Sequence, residues 1–365
     1  MVRSSEGNPR QKWNTINRIL HRKSVSILPS SVALSALANQ FAAFFKDKIS
    51  QLRLQLSPNA TQSPHYPSPP ALPPDFSTFP PATIEEISRI IHDCPNKQCD
   101  LDALPMSLLK HCSSVLAPVI TCIVNLSLAT GEFSPQLKKS IITPLLKKPT
   151  LDKENLANYR PISNLSTISK VTERVVKSRL IDHLTQNRLL NSSQSAYRKL
   201  HSTETVLLSL HDHLINAIGC QQVTCLCLLD LFAAVDAIDH SILLDRLSLW
   251  FGIHGTALNW FKSYLSDRLF CIKCCNDFSD SHQSCYGVPQ GSVLGPLLFT
   301  LYTTPLSSII SSLSLNHHLY ADDIPTIISL LTDHTTRLHT VRTFCSHATA
   351  PSVLYAQLTM FRAYY

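Results

Sequence analysis

Glycine is scarce in this chain, with 8 residues in 365, about 2% against a usual ~7%. Charge is scarce too, at 16% Asp, Glu, Lys and Arg, against a usual ~25%. These shortages exclude a collagen-like repeat and a charge-driven disordered chain. The first residues, MVRSSEGNPRQKW, lack the apolar stretch of a secretory signal. No uninterrupted apolar run reaches about 18 residues, so no transmembrane helix and no membrane partner are expected. The 12 cysteines follow no regular spacing. That argues against a small disulfide scaffold and for a reduced intracellular setting, nucleus or cytoplasm, rather than a secreted protein.

What is present is a hydrophobic fraction of 44%, enough for a sizeable core in one large domain or two to three smaller ones. The net charge of +7 is uneven. Residues 131–200 hold 13 Lys and Arg against 5 Asp and Glu, whereas the other 295 residues hold 19 against 20. A basic block of this kind suits a polyanion, and nucleic acid is the commonest. The bland alternative is a solvated basic surface.

Residues 34–55 place Leu37, Phe41, Phe44, Phe45, Ile49 and Leu52 at helical spacing, as in a packing helix. Nine prolines within 57–82 read as an extended linker that separates this helix from the rest of the chain. Thr83-Ile-Glu-Glu86 fits a capping box opening a helix to His92. Helical apolar spacing over 105–128 is expected to break at Pro118 and end at Gly131. Strands are expected at 140–147 and 223–231, a hairpin over 268–288, and two strands around the Ala-Asp-Asp of 319–331. Helices are expected over 166–184, 203–218, 241–265 and 291–312. This mixture predicts an α/β or α+β domain.

Two acidic positions stand at strand ends: Asp230, closing CLCLLDL, and Asp322-Asp323, in Leu-Tyr-Ala-Asp-Asp. Adjacent carboxylates repel unless a cation neutralises them. Converging hard oxygen donors of this type suit a pair of Mg²⁺ ions, which stabilise both oxygens of a phosphoryl transfer. Taken singly, each acid reads equally well as a solvated turn. Three of the eight glycines, 287, 291 and 295, fall within nine residues.

Five segments, taken together, carry a family resemblance: GVPQGSVLGP (287–296), LLDLFAAVDAIDHSILLDRL (228–247), YADD (320–323), NYRPISNLSTISKVTERVV (158–176) and SAYRKLHSTET (195–205). In sequence and order they resemble the reverse transcriptase of non-LTR (LINE-type) retrotransposons, across about residues 84–330. The resemblance implies an α+β right-hand polymerase, with fingers over 83–205 and palm over 206–330. A helical segment (1–56) and the Pro-rich linker (57–82) precede them, and a divergent tail (331–365) comes after. It implies two-metal transfer of a dNTP to a DNA 3′-OH on an RNA template, with two Mg²⁺, or Mn²⁺ in their place. The implied partners are RNA template, DNA primer and dNTP; oligomeric state is left open. Asp230, Asp322 and Asp323 match the catalytic metal ligands, and the Leu231 carbonyl assists them. Gln290 and Gly291 match the nucleotide-side loop, and Val235 stands at the sugar-selecting position. Arg160 matches a triphosphate contact, with Lys147 or Lys148 assisting. Arg198, Gly287 and Tyr320 match positions beside the nucleic acid, Arg198 supporting either the template or the fold. Gly287 and Gly291 are expected to let the backbone approach the nascent base pair.

The sequence departs from the family pattern in several places. Val235 stands where an aromatic residue normally excludes a ribose 2′-OH, and Phe232 stands where a small Ser is usual. Pro325 comes shortly after the acid pair and removes a strand donor. Beyond about residue 331 the palm helix, the lysine motif and the thumb are not recognisable, and no Lys follows Lys273. The expectation is an incomplete palm lacking a strand, no thumb, and a truncated or frame-altered copy. The alternative to an active polymerase is therefore a silent remnant that binds nucleic acid through its basic segment. Cys271, Cys274, Cys275, Cys285 and His282 read as packing residues rather than a zinc site, because no second clear pair accompanies Cys271-x₂-Cys274. Asp236 and Asp239 are expected at the start of the next helix, as caps.

Overall fold

The computed structural model describes residues 28–30, 33–56, 73–97, 99–220, 223–230, 235–312, 316–321, 323–330 and 355–358. Leu231, Phe232 and Asp322 lie outside them, as do most of the linker and most of the tail.

Helix α1 (Leu34–Leu56) buries Leu37, Phe41 and Phe45 of the expected stripe together with Ala38 and Ala42, while Phe44, Ile49 and Leu52 are only half-buried. The stripe lies on a five-stranded sheet whose main path runs β2 (Tyr159–Asn164), β1 (Lys139–Leu146), β4 (Arg268–Cys274) and β5 (Asp277–Phe278). β6 (His282–Ser284) pairs on β4. The β1–β2 pair is antiparallel and the β1–β4 pair parallel. Phe41 meets Tyr159 edge-on at 5.0 Å, inside a cluster with Ile142, Phe270, Ile272 and Cys274. So α1 is not set apart by the prolines. Its apolar face is large enough to require a partner, and the sheet supplies one.

Residues 73–82 also depart from the linker reading. Phe79 and Ala82 are buried, and the Phe76 N–H donates to Gly252 O at 2.8 Å. Phe79 packs edge-on against Trp260 and Phe261. Prolines here set an extended path, and the aromatics between them anchor it in the core.

The main core gathers α2 (Ile84–Asp93), α3 (Met106–His111), α4 (Ser113–Thr130), α5 (Thr167–Gln186), α7 (His240–Phe251), α8 (Gly255–Leu265) and α9 (Gly295–Ser312). Caps form where the sequence predicts them. The Thr83 hydroxyl accepts from Glu86 N–H, Ser166 from Ser169 N–H, and Gly131 closes α4 at φ 71°. The break near residue 118 falls instead at Cys112, and Pro118 sits inside α4. The run 241–265 splits at Gly252, whose φ of 68° ends α7.

Helix α4 is long and apolar enough to cross a membrane by length and composition, with mean hydropathy 1.7 over 18 residues. Its Ser, Thr and Asn interrupt the apolar run, and the average stays high in spite of them. One face, Ala117, Ile120, Val124 and Leu128, packs into the core.

The second sheet is antiparallel, in the order β7 (Asn316–His317), β8 (Asp323–Leu330), β3 (Val223–Asp230), β9 (Tyr355–Leu358). The tail thus supplies a strand to the sheet expected to lack one. Pro325 lies within β8, opposite Leu228. β7 reaches only Thr326 and Ile327, so among the described residues Pro325 has a ladder neighbour on one side alone. A missing N–H is tolerated at such a position. The two strands expected around Ala-Asp-Asp are β8 and the short β7, which lies before residue 319 and pairs with β8, and Leu319 also bridges to Gln194. Helix α6 (Thr203–Gly219), opened by a Ser202–Thr205 capping box, runs across the 205–206 boundary.

Candidate active site

β3 and β8 pair in a register that sets Asp230 directly opposite Asp323. Residues opposed in this way have Cα atoms about 4.5–5.5 Å apart. Two acids 93 positions apart in sequence are thereby neighbours at one end of the sheet. Tyr355 of β9 flanks Asp230 on its other side. Asp322 and Leu231 fall outside the described residues. Among those described, no group of three or more His, Cys, Asp or Glu is arranged around a metal position.

The turn after β3 carries the next layer. Val235 O accepts from Val288 N–H at 3.1 Å, and Ile238 O accepts from Gly287 N–H at 2.8 Å. Gly287 has φ 73°, and a Cβ there would meet Asp236 O at 2.5 Å. On the other side of the loop, Ser163 N–H donates to Gln290 O at 2.6 Å, and a Cβ on Gly291 (φ 119°) would collide with Ser163 O. The close approach that these two glycines permit is therefore to the chain's own backbone. It clamps the Gly287–Gly291 loop between the Val235–Ile238 turn and β2.

Gln290 Nε2 donates to Asp236 Oδ2 at 2.7 Å. Asp236 is therefore not a helix cap. Enclosure of its carboxyl pushes it up to about 6, against the opposing pull of the Gln290 bond and the Lys48 charge. Asp239 does cap α7, accepting from Ser241 and Ile242 N–H. Burial alone would raise it, but the Ser241 hydroxyl, Arg53 and the Ile242 N–H together hold it at about 2. Arg53 of α1 pairs with Asp239 at 2.6 Å and stacks over the Tyr286 ring at 3.8 Å. Burial also lowers Lys48, and Asp236 counters that shift. His240, whose value burial lowers, donates from Nε2 to Gly287 O at 2.8 Å. A cleft of about 170 Å³ runs beneath the loop, lined by Lys48, Ser163, Asp236, Arg268, Gly287 and Gln290 among others.

The basic residues separate into two groups. Arg160 lies exposed on β2 opposite Leu145, and Lys147 and Lys148 lie exposed just beyond β1, at the same end of the hairpin. The Lys147 ammonium donates to Ala157 O at 2.9 Å. Arg198 turns inward, donating to Asn191 O and Gln194 O at 3.0 and 3.1 Å. It braces the 191–198 loop, which Ser195 N–H and Leu319 N–H tie to the strand approaching Tyr320. Tyr320 is partly buried there, four residues after Asn316.

One further residue enters the site, from within the 158–176 segment but singled out by nothing in the sequence reading. Glu173 is fully buried on α5, accepting from Val293 N–H at 2.6 Å, Leu294 N–H at 3.1 Å and Ser169 Oγ at 3.3 Å. Burial raises its carboxyl, and the charge of Arg268 and these N–H groups counter it. It holds the backbone that leads from Gly291 into α9. Sequence reasoning missed it, although a signal was present: position 173 falls on the same helical stripe as Ser169, Val176 and Leu180. Cys271 and Cys274 sit at odd spacing on β4 and so face opposite sides of the sheet.

The chain thus combines a mixed α/β fold with an opposed acid pair at a strand end and a glycine loop clamped between β2 and the Val235–Ile238 turn. Over residues 146–351 the sequence matches the family described as Reverse transcriptase (RNA-dependent DNA polymerase), and the chain belongs to that family. It is 33% identical over 227 residues to the probable RNA-directed DNA polymerase from transposon BS of Drosophila melanogaster. It is 30% identical over 228 residues to that from transposon X-element of the same fly. It is 26% identical over 250 residues to the RNA-directed DNA polymerase from mobile element jockey of Drosophila funebris. These matches cover 62%, 62% and 67% of this chain but only 25%, 25% and 27% of the relatives, so the chain spans about a quarter of their length. The family match runs past residue 331 into the tail.

Proposed function

We propose that the chain is an RNA-directed DNA polymerase domain, joining dNTPs to a DNA 3′-OH on an RNA template. The observation that carries this reading is the register that sets Asp230 opposite Asp323, in a chain whose Val235, five residues on, holds the Gly287–Gly291 loop through its carbonyl. Two opposed acidic residues, with Asp322 adjacent in sequence, form a hard, anionic donor set that fits divalent cations such as Mg²⁺. Bound there, such ions supply Lewis-acid polarisation of the 3′-oxygen and the phosphates. The 3′-hydroxyl releases its proton to solvent, its oxygen bonds to the α-phosphorus, and pyrophosphate departs with the electrons of the broken P–O bond.

The chain's own residues bind and orient. Asp230, Asp322 and Asp323 hold the cations, with the Leu231 carbonyl. Arg160, Lys147 and Lys148 face the triphosphate from the β1–β2 hairpin, where cationic donors suit phosphate oxygens. The loop carrying Gln290 and Gly291 forms one wall of the nucleotide site, and Gly287 and Tyr320 lie along the nucleic acid. Val235 lines the sugar position and leaves more room there than an aromatic ring.

The test is primer extension by the full chain on an RNA template with Mg²⁺. Extension that Asp230→Asn and Asp323→Asn each abolish supports the reading. RNA binding without extension under all metal conditions overturns it in favour of a silent nucleic-acid-binding remnant.

A further inference from the structure

The Gly287–Gly291 loop is fixed by backbone bonds on both sides, which leaves the Gln290 side chain only its own torsions. Asp236 removes that freedom, because Gln290 Nε2 donates to Asp236 Oδ2 at 2.7 Å. An ionised carboxylate accepts hydrogen bonds and cannot donate them, whereas a carboxamide has one donor end and one acceptor end. Only one amide orientation is compatible with the pair. Turning the amide over would press two acceptor oxygens together.

We propose that Asp236 is a positioning residue that commits the Gln290 amide nitrogen inward and offers its carbonyl oxygen, Oε1, to a donor group on the incoming nucleotide or the base it pairs with. This rests on the polymerase reading and adds a specific acceptor to it. The role needs aspartate rather than asparagine, because an Asn amide satisfies Gln290 in either orientation. Burial favours the protonated form, and the Gln290 amide and the Lys48 charge oppose it, so that the carboxyl is ionised above about pH 6. Lys48 reaches it from α1, and Arg268 of β4 lines the same cleft. Arg53 is engaged by Asp239, and His240 by Gly287 O. Lys48 belongs to a helix outside the family-matched residues, so α1 contributes to the setting of this pair.

The experiment compares wild type, Asp236→Asn, Gln290→Leu and the double variant in primer extension, resolving KM for dNTP from kcat. Asp236→Asn is expected to raise KM about tenfold, the scale of one misplaced hydrogen bond. Its kcat stays within about threefold, and its melting temperature shifts by no more than a few degrees. In the Gln290→Leu background the same change has no further effect. An unchanged KM, or a full KM effect that persists without Gln290, overturns the proposal. A second measurement needs no turnover. In ¹⁵N-labelled protein the Gln290 side-chain amide is expected as a slowly exchanging pair that Asp236→Leu releases to solvent exchange. If that pair exchanges identically in Asp236→Leu, positioning by Asp236 is refuted whether or not the chain polymerises. A held amide in a chain that extends no primer refutes the polymerase reading instead.

Discussion

Two sets of acids surround the candidate site, and they are held in opposite ways. Asp230 and Asp323 stand opposite one another in the register of a strand pair, with Tyr355 on the other side of Asp230. Glu173 and Asp236 face donors that the chain supplies: the Val293 and Leu294 N–H groups for one, the Gln290 amide for the other. Carboxylates brought together without protein donors repel, and a cation relieves them. Carboxylates that already accept N–H bonds have committed their lone pairs to the fold. At Glu173 and Asp236 the carboxyl thus belongs to the scaffold, whereas at Asp230 and Asp323 the proposed role is that of a metal ligand.

The largest expected effect tests the first set. Asp323→Asn should lower primer extension by about 10²–10³-fold, the scale of removing one transition-state-stabilising group. Chemical unfolding should show stability unchanged or raised, because a like-charge contact is gone. A large loss of stability would place Asp323 with the scaffold acids instead.

Next comes the second set. Glu173→Ala orphans two buried N–H groups and should cost about 3–5 kcal/mol, read as a shift of the urea midpoint. Glu173→Gln keeps an acceptor and should cost less. Asp236 adds a pH signature. Its carboxyl rises from 3.8 to about 6 on folding, so the folded state binds the proton more tightly. Its contribution is fully present below pH 3.8 and is lost as pH rises through about 6, an effect on the order of 3 kcal/mol. Asp236→Asn should flatten that segment of the stability–pH curve.

A smaller effect concerns the α1 contact. Asp239 is held at about 2, below its usual 3.8. The Ser241 hydroxyl, the Arg53 pair and the Ile242 N–H together therefore stabilise above pH 3.8, and that stabilisation is lost as pH falls through about 2. Arg53→Ala should cost under ~1 kcal/mol at neutral pH, because the pair is partly exposed, and the difference should shrink at high salt. The smallest effect is on selectivity. Val235→Phe should improve discrimination against ribonucleotides by a few-fold, the modest scale of a steric change in a pocket, measured as the ratio of kcat/KM for dNTP and NTP.

Much of the site is legible along the chain because it depends on near neighbours. Asp239 caps as its spacing implies, Thr83 forms half of the expected capping box while the Glu86 carboxylate turns to Arg179, and the β-type runs before Asp230 and after Asp323 do form strands. Three departures share one cause. The proline segment reads as a solvent-exposed linker, yet Phe76 and Phe79 reach Gly252, Trp260 and Phe261, more than 170 residues away. Asp236 reads as a cap by its distance from α7, but its partner is Gln290, 54 positions on. Glu173 reads as an ordinary charge on a helix, but the donors that make its burial tolerable come from a loop 120 residues later.

Local chemistry thus set which residues could do the work: the acids at strand ends, the rare glycines gathered at 287–295, and the basic hairpin that carries Lys147 and Arg160. Which acid would face another acid, which would meet an amide, and whether α1 would stand apart or dock were settled by packing. Those outcomes depend on register and on buried partners far apart in the chain. A carboxylate's energy is set by what surrounds it, and only the folded chain supplies those surroundings.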